Sequence, residues 1–208
     1  MQKSNVLILG RTRAGKMICV GGLNLETMEH VRLKRSKEPP FWPADSCPFN
    51  VGDVFLVEYE PKVDLDNPHH REDVAVQKYR RTKEITNGEI CKILKSKNLV
   101  SDGCFPNVAF AFSGKNHPLK RAQSGAWYAF ADEAYRLQNS TGFWRCTDPL
   151  FLVGNRYVNH KKGYNIKYVG EALTIEVIPQ GTIIRLSTST IWQEKNSAFL
   201  QLSGWFLC

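Results

Sequence analysis

A glycine-rich segment near the N-terminus has the spacing of a nucleotide-binding loop. Residues 10–16 (GRTRAGK, from Gly10 to Lys16) follow a short apolar run and match the P-loop pattern G-x-x-x-x-G-K. The next position requires Ser or Thr as a magnesium ligand, but Met17 stands there. A P-loop also opens a helix, whereas residues 17–25 (MICVGGLNL) contain two glycines and no helical stripe. We therefore expect a β-hairpin with a basic tip and keep a nucleotide-dependent enzyme as an alternative.

Acidic and imidazole side chains are densest in residues 64–73 (DLDNPHHRED). The carboxylates, which end with Asp73, together with His69 and His70 can hold a metal or transfer protons. The polar composition, broken by Pro68, is also typical of a loop between two strands. The chain has no G-x-S-x-G nucleophile motif. The sequence thus favours the loop, and a non-catalytic protein over an enzyme, and it predicts no catalytic residue, metal ligand or cofactor.

Basic side chains recur along the whole chain. Lys and Arg number 28 against 20 Asp and Glu, which gives a net charge of +8. Such an excess favours polyanionic partners, and nucleic acid before an acidic membrane surface. Alternation in residues 32–34 (RLK) and 78–80 (KYR) places the charges of each strand on one face. The residues that we expect to bind nucleic acid are Arg11, Arg13, Lys16, Arg32, Lys34, Arg35, Trp42, Arg80 and Arg81.

Aromatic side chains are interleaved with these basic clusters. Single-stranded nucleic acid is bound by a positive groove that also offers stacking surfaces. Trp42 is the stacking residue that we assign, because it follows a basic cluster. Other stacking candidates are Tyr79, Trp127, Tyr128, Trp144, Tyr157 and Tyr164. Most buried aromatics fill cores, and we expect this of Trp205 in its apolar strand.

Short strands must position these residues, because β-signals dominate the chain. Apolar runs or polar–apolar alternation predict strands at residues 5–9, 17–20, 30–34, 54–59, 73–76, 108–112, 127–130, 150–153, 164–169, 173–178, 182–186 and 199–206. One helix is predicted over residues 87–99, where Ile90, Ile93 and Leu94 form an apolar stripe. Short strands punctuated by Gly and Pro are typical of small barrels or sandwiches.

The cysteines and the apolar runs indicate where the protein works. The six cysteines include no C-x-x-C pair, so we expect reduced thiols and no disulfide framework. No run approaches the roughly 18 apolar residues of a membrane span. The apolar run at residues 6–9 is too short for a secretion signal. We therefore expect a cytoplasmic protein with no membrane partner.

Three short motifs in the N-terminal part form a recognisable pattern. They are residues 18–22 (ICVGG), residues 31–33 (VRL), and His69 or His70 before residues 72–74 (EDV). The pattern resembles that of the dual OB-fold domain proteins of prokaryotes. Residues 28–30 (MEH) differ from the family, where a turn glycine and a tryptophan are common. The resemblance implies two OB-like barrels and brings no catalytic residues.

We therefore predict a mostly β chain of two small OB-like β-barrels, residues 1–100 and 104–208, with one short helix in the first half. OB barrels commonly bind oligonucleotides on a sheet face and its flanking loops. The expected function is non-catalytic binding of single-stranded or structured DNA or RNA, including a role as accessory to a separate enzyme. The alternatives are a protein–protein docking module with an incidental basic face and the nucleotide-dependent enzyme.

Overall fold

The computed structural model describes residues 1–62, 67, 69–101, 119–134, 140–161 and 163–208. The strand predicted at residues 108–112 and the side chains of Asp64 and Asp66 lie outside these ranges. Strands dominate the described residues, which confirms the mostly β fold class. No helix in these ranges is long and apolar enough to cross a membrane.

The first sheet contains six strands, five of which close into a barrel. In chain order they are β1 (Gln2–Ala14), β2 (Met17–Asn24), β3 (His30–Arg35), β4 (Trp42–Pro43), β5 (Asp53–Pro61) and β6 (Asp73–Glu84). The ring β1-β2-β3-β6-β5 closes because β1 pairs with both β2 and β5. Strands β3 and β6 run parallel, and the other neighbours in the ring run antiparallel. This is the topology of an OB barrel.

Strand β1 is apolar on both faces. Val6 and Ile8 point into the barrel core, where they pack with Phe55. Leu7 and Leu9 point the other way and join a separate core cluster. The continuous run VLIL therefore reflects burial on both faces, because a half-exposed strand would alternate.

The glycine-rich segment completes β1 and turns into β2. Ala14 pairs with Met17, so Gly15 and Lys16 form a two-residue turn, and Gly15 adopts a φ of 63°. This confirms the predicted hairpin. The strand that follows Lys16 replaces the helix that a nucleotide-binding loop requires, so the P-loop alternative is wrong.

The helix α1 (Asn87–Ser96) begins at the predicted residue and ends three residues before the predicted end. Thr86 and Glu89 form a capping box that satisfies backbone amides of the first turn. The buried face carries Ile90, Cys91 and Leu94. Because these side chains meet apolar residues of both barrels, the helix closes the junction between them.

The second half forms a curled sheet with a small hairpin on it. Its strands are β7 (Val100–Ser101), β8 (Lys120–Arg121), β9 (Trp127–Phe130), β10 (Thr141–Arg145), β11 (Leu150–Val153), β12 (Arg156–Asn159), β13 (Tyr164–Tyr168), β14 (Val177–Ile178), β15 (Ile183–Thr188) and β16 (Ser197–Phe206). A short helix, α2 (Ala131–Ala134), follows β9.

This sheet repeats the strand order of the first barrel. Its order β11-β12-β13-β16-β15-β10 includes one parallel pair, β13 with β16, as in an OB barrel. Strands β11 and β10 begin and end this series of six, and the short strands β14 and β7 pair outside them. Residues 146–149 connect β10 to β11, so the chain itself joins the two sides of the curl. The prediction of two OB-like barrels is confirmed.

A buried arginine from β15 connects the two barrels. Arg185 is 6% exposed, and its guanidinium lies against Gly10 of β1 and Gly21 of β2. Its Nη1 donates to Ser203 Oγ at 2.8 Å and its Nη2 to Thr141 Oγ1 at 3.3 Å. A Cβ at Gly10 would lie 2.7 Å from Nη1, and one at Gly21 would overlap Nη2. The absence of side chains at both glycines therefore makes room for the guanidinium.

Backbone contacts join the barrels on two further sides. The Arg13 amide donates to the Val169 carbonyl at 3.0 Å. His69 Nε2 lies 2.9 Å from the Ser189 carbonyl oxygen. With the apolar cluster at the helix, these contacts fix one barrel against the other.

One sequence expectation about cysteine is wrong. Cys91 and Cys208 form a disulfide, with Cα atoms 5.9 Å apart. The spacing of 117 residues hid the pair, since no local motif brings helix α1 beside the C-terminus. The contacts between α1 and β16 create that proximity.

The strand predictions succeeded where apolar runs are continuous. Strands β9 and β11 have the predicted bounds, whereas the strand expected at residues 173–178 forms only at Val177–Ile178. Strands β10 and β12 were not predicted. The boundary between residues 100 and 104 stays a prediction, because residues 102–118 lie outside the described ranges.

We expect Gly21→Ala to lower the free energy of unfolding by about 1–3 kcal/mol, because the new methyl group would displace the buried guanidinium of Arg185. Gly88→Ala is the matched control, since a Cβ there meets only Thr86 Oγ1 at 3.9 Å. Urea unfolding followed by tryptophan fluorescence measures both. Equal stability of the two variants would contradict the packing described for Arg185.

We expect Cys208→Ser to lower the free energy of unfolding by about 4 to 5 kcal/mol, because the disulfide closes a long loop in the unfolded chain. Reductant should destabilise the wild-type protein by a similar amount and leave the variant unchanged. Urea unfolding of both proteins with and without reductant makes the measurement. A wild-type protein that is insensitive to reductant would show that the bond does not contribute.

Candidate nucleic-acid interface

A groove of about 850 Å³ crosses one face of the second barrel. Its lining comes from β9, β12, β13 and β16 and from the loop between β15 and β16, residues 189–196. We call it the aromatic groove and define it by Tyr128, Phe130, Arg156, Lys167, Trp192, Lys195 and Phe199. On an OB barrel, strands 2 and 3 and the loop between strands 4 and 5 form the ligand face. Here these are β12, β13 and residues 189–196.

The aromatic side chains of the groove form a connected series. The ring of Tyr128 lies 5.3 Å from Phe130 and 6.1 Å from Phe199, and Phe199 lies 6.0 Å from Trp192. Trp192 is 47% exposed and Phe130 is 38% exposed. Exposed rings of this size offer faces on which an unpaired base can stack.

Basic side chains accompany these rings. Lys195 Nζ lies 5.1 Å from the ring centroid of Trp192. Lys167 is exposed on β13, and Arg156 is half-buried on β12. Among the groove-lining residues that the structure describes, none is Asp or Glu. The groove therefore combines stacking surfaces with positive charge.

A smaller pocket of about 230 Å³ lies between the barrels. We call it the inter-barrel pocket and define it by Arg13, Cys19, Arg32, His70, Lys167, Arg185 and Thr188. It lies on β2 and β3, the corresponding face of the first barrel, and the second barrel covers it. The residues that line both the pocket and the aromatic groove are Lys167, Ser189, Thr190 and Gln201.

Arg32 and Lys34 share a face of β3, as the alternation predicted, but that face is buried. Arg32 Nε forms a short ion pair with Asp73, and Lys34 Nζ lies 3.5 Å from the same carboxylate. Lys34 Nζ also lies 3.8 Å from the ring centroid of Phe41. Lys34 is thus committed to contacts within the first barrel, whereas Arg32 also reaches the inter-barrel pocket.

Burial and neighbouring cations determine the ionisation of this region. Burial, Arg32 and His69 hold the pKa of His70 well below its usual range, so its ring is neutral near pH 7. Burial and Arg185 lower the pKa of His30 to about 4. Burial lowers the pKa of Arg185 to about 10, which leaves its guanidinium charged at neutral pH.

Arg11 and Trp42 hold the fold together. Arg11 Nη1 donates to the Phe49 carbonyl at 2.9 Å, and its Nε lies 2.6 Å from Glu171. Trp42 is buried in the first barrel and donates from Nε1 to the Leu33 carbonyl at 2.8 Å. The burial of its ring argues against a stacking role for Trp42.

The remaining residues of the predicted set lie on the outside of the first barrel. Lys16 is exposed at the β1–β2 turn, and Arg80 is exposed on β6. Arg35 is half-buried at the end of β3. Arg81 is 52% exposed and pairs with Asp53 and Glu84. Of the predicted set, Arg13 and Arg32 line the inter-barrel pocket, Arg32 and Lys34 share Asp73, and Arg11 and Arg13 share Glu171.

The histidine segment connects the barrels. His69 and His70 are buried, and Asn67 Oδ1 accepts from the Ile191 amide at 2.8 Å. Asp73 pairs with Arg32. In the described ranges, no group of three His, Cys, Asp or Glu residues could hold a metal ion. The loop interpretation thus fits the described part of this segment.

Sequence reasoning missed most of the groove. Tyr128 was a stacking candidate, but Trp192, Lys195 and Phe199 were not singled out. The available signal was a tryptophan beside polar residues in 189–196 (STIWQEKN), a position where it cannot belong to a core strand. Arg185 was also missed, although an arginine between Ile184 and Leu186 is unusual for a buried strand.

Comparisons with known proteins give one informative match. No curated protein matches this chain. A solved structure of a murine DNA-binding protein bound with double-stranded DNA has 12% sequence identity and a TM-score of 0.32, and the alignment covers 97% of this chain and 93% of that one. A TM-score this low carries no conclusion about fold or ligand. A family model for the dual OB-containing domain matches residues 4–205. The match covers nearly the whole chain and agrees with the two barrels described above, and the chain therefore belongs to the dual OB-containing domain family.

Proposed function

We propose that this protein binds single-stranded nucleic acid in the aromatic groove of the second barrel. The observation that carries the proposal is the connected series of Tyr128, Phe130, Phe199 and Trp192 beside basic side chains on the ligand face of an OB barrel. The binding is non-catalytic, and it suits an accessory subunit of a separate enzyme.

Stacking and phosphate contacts have separate roles in such a groove. Base–aromatic stacking contributes about 1–3 kcal/mol per base and tolerates any sequence, because every base has a π-face. Lys167 and Lys195 lie along the same groove, where they can contact the backbone phosphates between stacked bases. Unpaired bases are needed for stacking, so the groove favours a single strand over a duplex.

The first barrel contributes a second, outer set of cations. Lys16, Arg35, Arg80 and Arg81 retain exposed charge outside the groove. Such residues contact phosphates of a longer strand without reading its bases. Their contribution should therefore be smaller per residue and strongly dependent on salt.

We expect Trp192→Ala to weaken binding of a short single-stranded oligonucleotide by about tenfold, because one stacking surface is lost. Phe151→Ala is the matched control, since Phe151 is 40% exposed on β11 and does not line the groove. Fluorescence anisotropy with a labelled oligonucleotide gives both affinities. Equal losses in the two variants would contradict binding in the groove.

We expect Lys167→Glu with Lys195→Glu to reduce affinity more than Lys16→Glu with Arg80→Glu, because only the first pair lines the aromatic groove. The charge change is the same in both double variants. Anisotropy titrations at several salt concentrations distinguish the loss of a direct phosphate contact from a change in the overall electrostatic attraction. Each lost phosphate contact lowers the slope of log affinity against log salt concentration by about 1.

The opposite ranking would place the interface on the first barrel. No binding of single-stranded DNA or RNA even at low salt would contradict the proposed function. That result would leave protein–protein docking as the function to test, through salt-insensitive capture of a protein partner.

A further inference from the structure

We propose that the inter-barrel pocket binds a terminal phosphate monoester of a strand that lies in the aromatic groove. This rests on the proposed function, since the strand is held by the groove. Cations of both barrels line the pocket, among them the buried Arg185, and its ligand chemistry follows from them.

The pocket contains more positive than negative charge. Arg13, Arg32, Lys167 and Arg185 line it, whereas none of its described lining residues is Asp or Glu. Asp73 is shared between Arg32 and Lys34. Glu171 pairs with Arg11 and Arg13, and Glu72 acts electrostatically on Arg32 and Arg185. These three carboxylates are outnumbered by the cations around the pocket, which are Arg11, Arg13, Arg32, Lys34, Lys167 and Arg185, so positive charge remains for an added anion.

Two guanidinium nitrogens at the pocket lack partners. Within the described residues, Arg32 Nη2 and Arg185 Nε are buried and donate no hydrogen bond to a protein oxygen. Buried donors are ordinarily satisfied, and an unsatisfied one on a charged group is unusual. A phosphate supplies several acceptor oxygens, and arginine is the side chain best suited to them.

The hydroxyls and the size of the pocket fit the same ligand. Ser187 and Thr190 line the pocket beside the arginines and can donate to phosphate oxygens, whereas the Thr188 hydroxyl donates to the Ser140 carbonyl. About 230 Å³ exceeds the volume that a phosphate group needs and leaves room for part of the attached sugar. The aromatic groove, at about 850 Å³, has the space for bases that the pocket lacks.

The position of the pocket makes the phosphate a terminal one. The pocket adjoins the groove through Lys167 and Gln201, which line both. Contacts between the barrels flank it, from Arg13 to Val169 and from His69 to Ser189. A strand that enters from the groove therefore meets the junction of the barrels and ends there.

The test compares oligonucleotides that differ only in their ends. An internally labelled single-stranded oligonucleotide is prepared with hydroxyl ends, with a 5′-phosphate and with a 3′-phosphate. The wild-type protein should bind one phosphorylated form about tenfold more tightly than the hydroxyl form, the effect of a charge-assisted contact. For each protein, the readout is the ratio of its affinity for the phosphorylated oligonucleotide to its affinity for the hydroxyl form.

Two isosteric variants assign the preference to the pocket. Cys19 lines the pocket and influences the pKa of both Arg32 and Arg185, so it lies near both guanidinium groups. Cys19→Asp places a carboxylate beside them, which should compensate their charge and abolish the preference for phosphate. Cys19→Asn has the same shape without the charge and should keep the preference. If both variants lose the preference for the phosphorylated oligonucleotide, or if both keep it, the assignment of that preference to the inter-barrel pocket is overturned.

A second readout uses the wild-type protein and distinguishes the source of the phosphate. Alkylation of Cys19 is measured by peptide mass spectrometry, with half-buried Cys47 as the internal control. Protection of Cys19 by the phosphorylated oligonucleotide, at concentrations where the hydroxyl form and a nucleoside monophosphate do not protect, supports a strand terminus.

The remaining outcomes separate the two proposals. Equal binding of all three oligonucleotides would overturn the phosphate site and leave the groove function intact. Protection of Cys19 by a nucleoside monophosphate or inorganic phosphate, without binding of any oligonucleotide, would overturn the proposed function and the strand terminus, and would show a site for free phosphate. Neither binding nor protection would overturn both.

Discussion

The contact between Arg185 and the glycines of β1 and β2 sets the geometry on which the rest of the structure depends. A guanidinium can approach two neighbouring strands this closely only where Gly10 and Gly21 carry no side chains. Its hydrogen bonds to Ser203 and Thr141 hold it on the second barrel, so that the first barrel is placed against a fixed charge. The inter-barrel pocket forms around this contact, and the loop of residues 189–196 is positioned beside it.

This docking gives the two barrels different roles. The ligand face of the first barrel, on β2 and β3, is turned toward the second barrel and retains only a small pocket. The equivalent face of the second barrel carries the aromatic groove with the exposed ring of Trp192. Basic residues of the first barrel consequently stabilise the fold. Arg11 pairs with Glu171 of the second barrel, and Lys34 pairs with Asp73 within the first barrel. A net positive charge therefore says little about which arginines are available to a ligand.

The sequence predicted what depends on local periodicity. The apolar run of β1, the hairpin at Gly15 and the start of α1 follow from burial patterns, turn chemistry and the capping box. Alternation also placed Arg32 and Lys34 on one face of β3 correctly. Whether that face meets solvent or another barrel depends on docking, which no local pattern encodes. The disulfide between Cys91 and Cys208, and the closing strand β10, depend on long-range packing for the same reason.

The central claim is that a single strand lies in the aromatic groove, and ultraviolet cross-linking to a thymidine-rich oligonucleotide followed by peptide mapping tests it most directly. Cross-links at Trp192, Phe199 and Tyr128 are the predicted result, because these rings would stack on the bases. Cross-links confined to the first barrel, at the β1–β2 turn around Lys16 or along β6, would contradict the account.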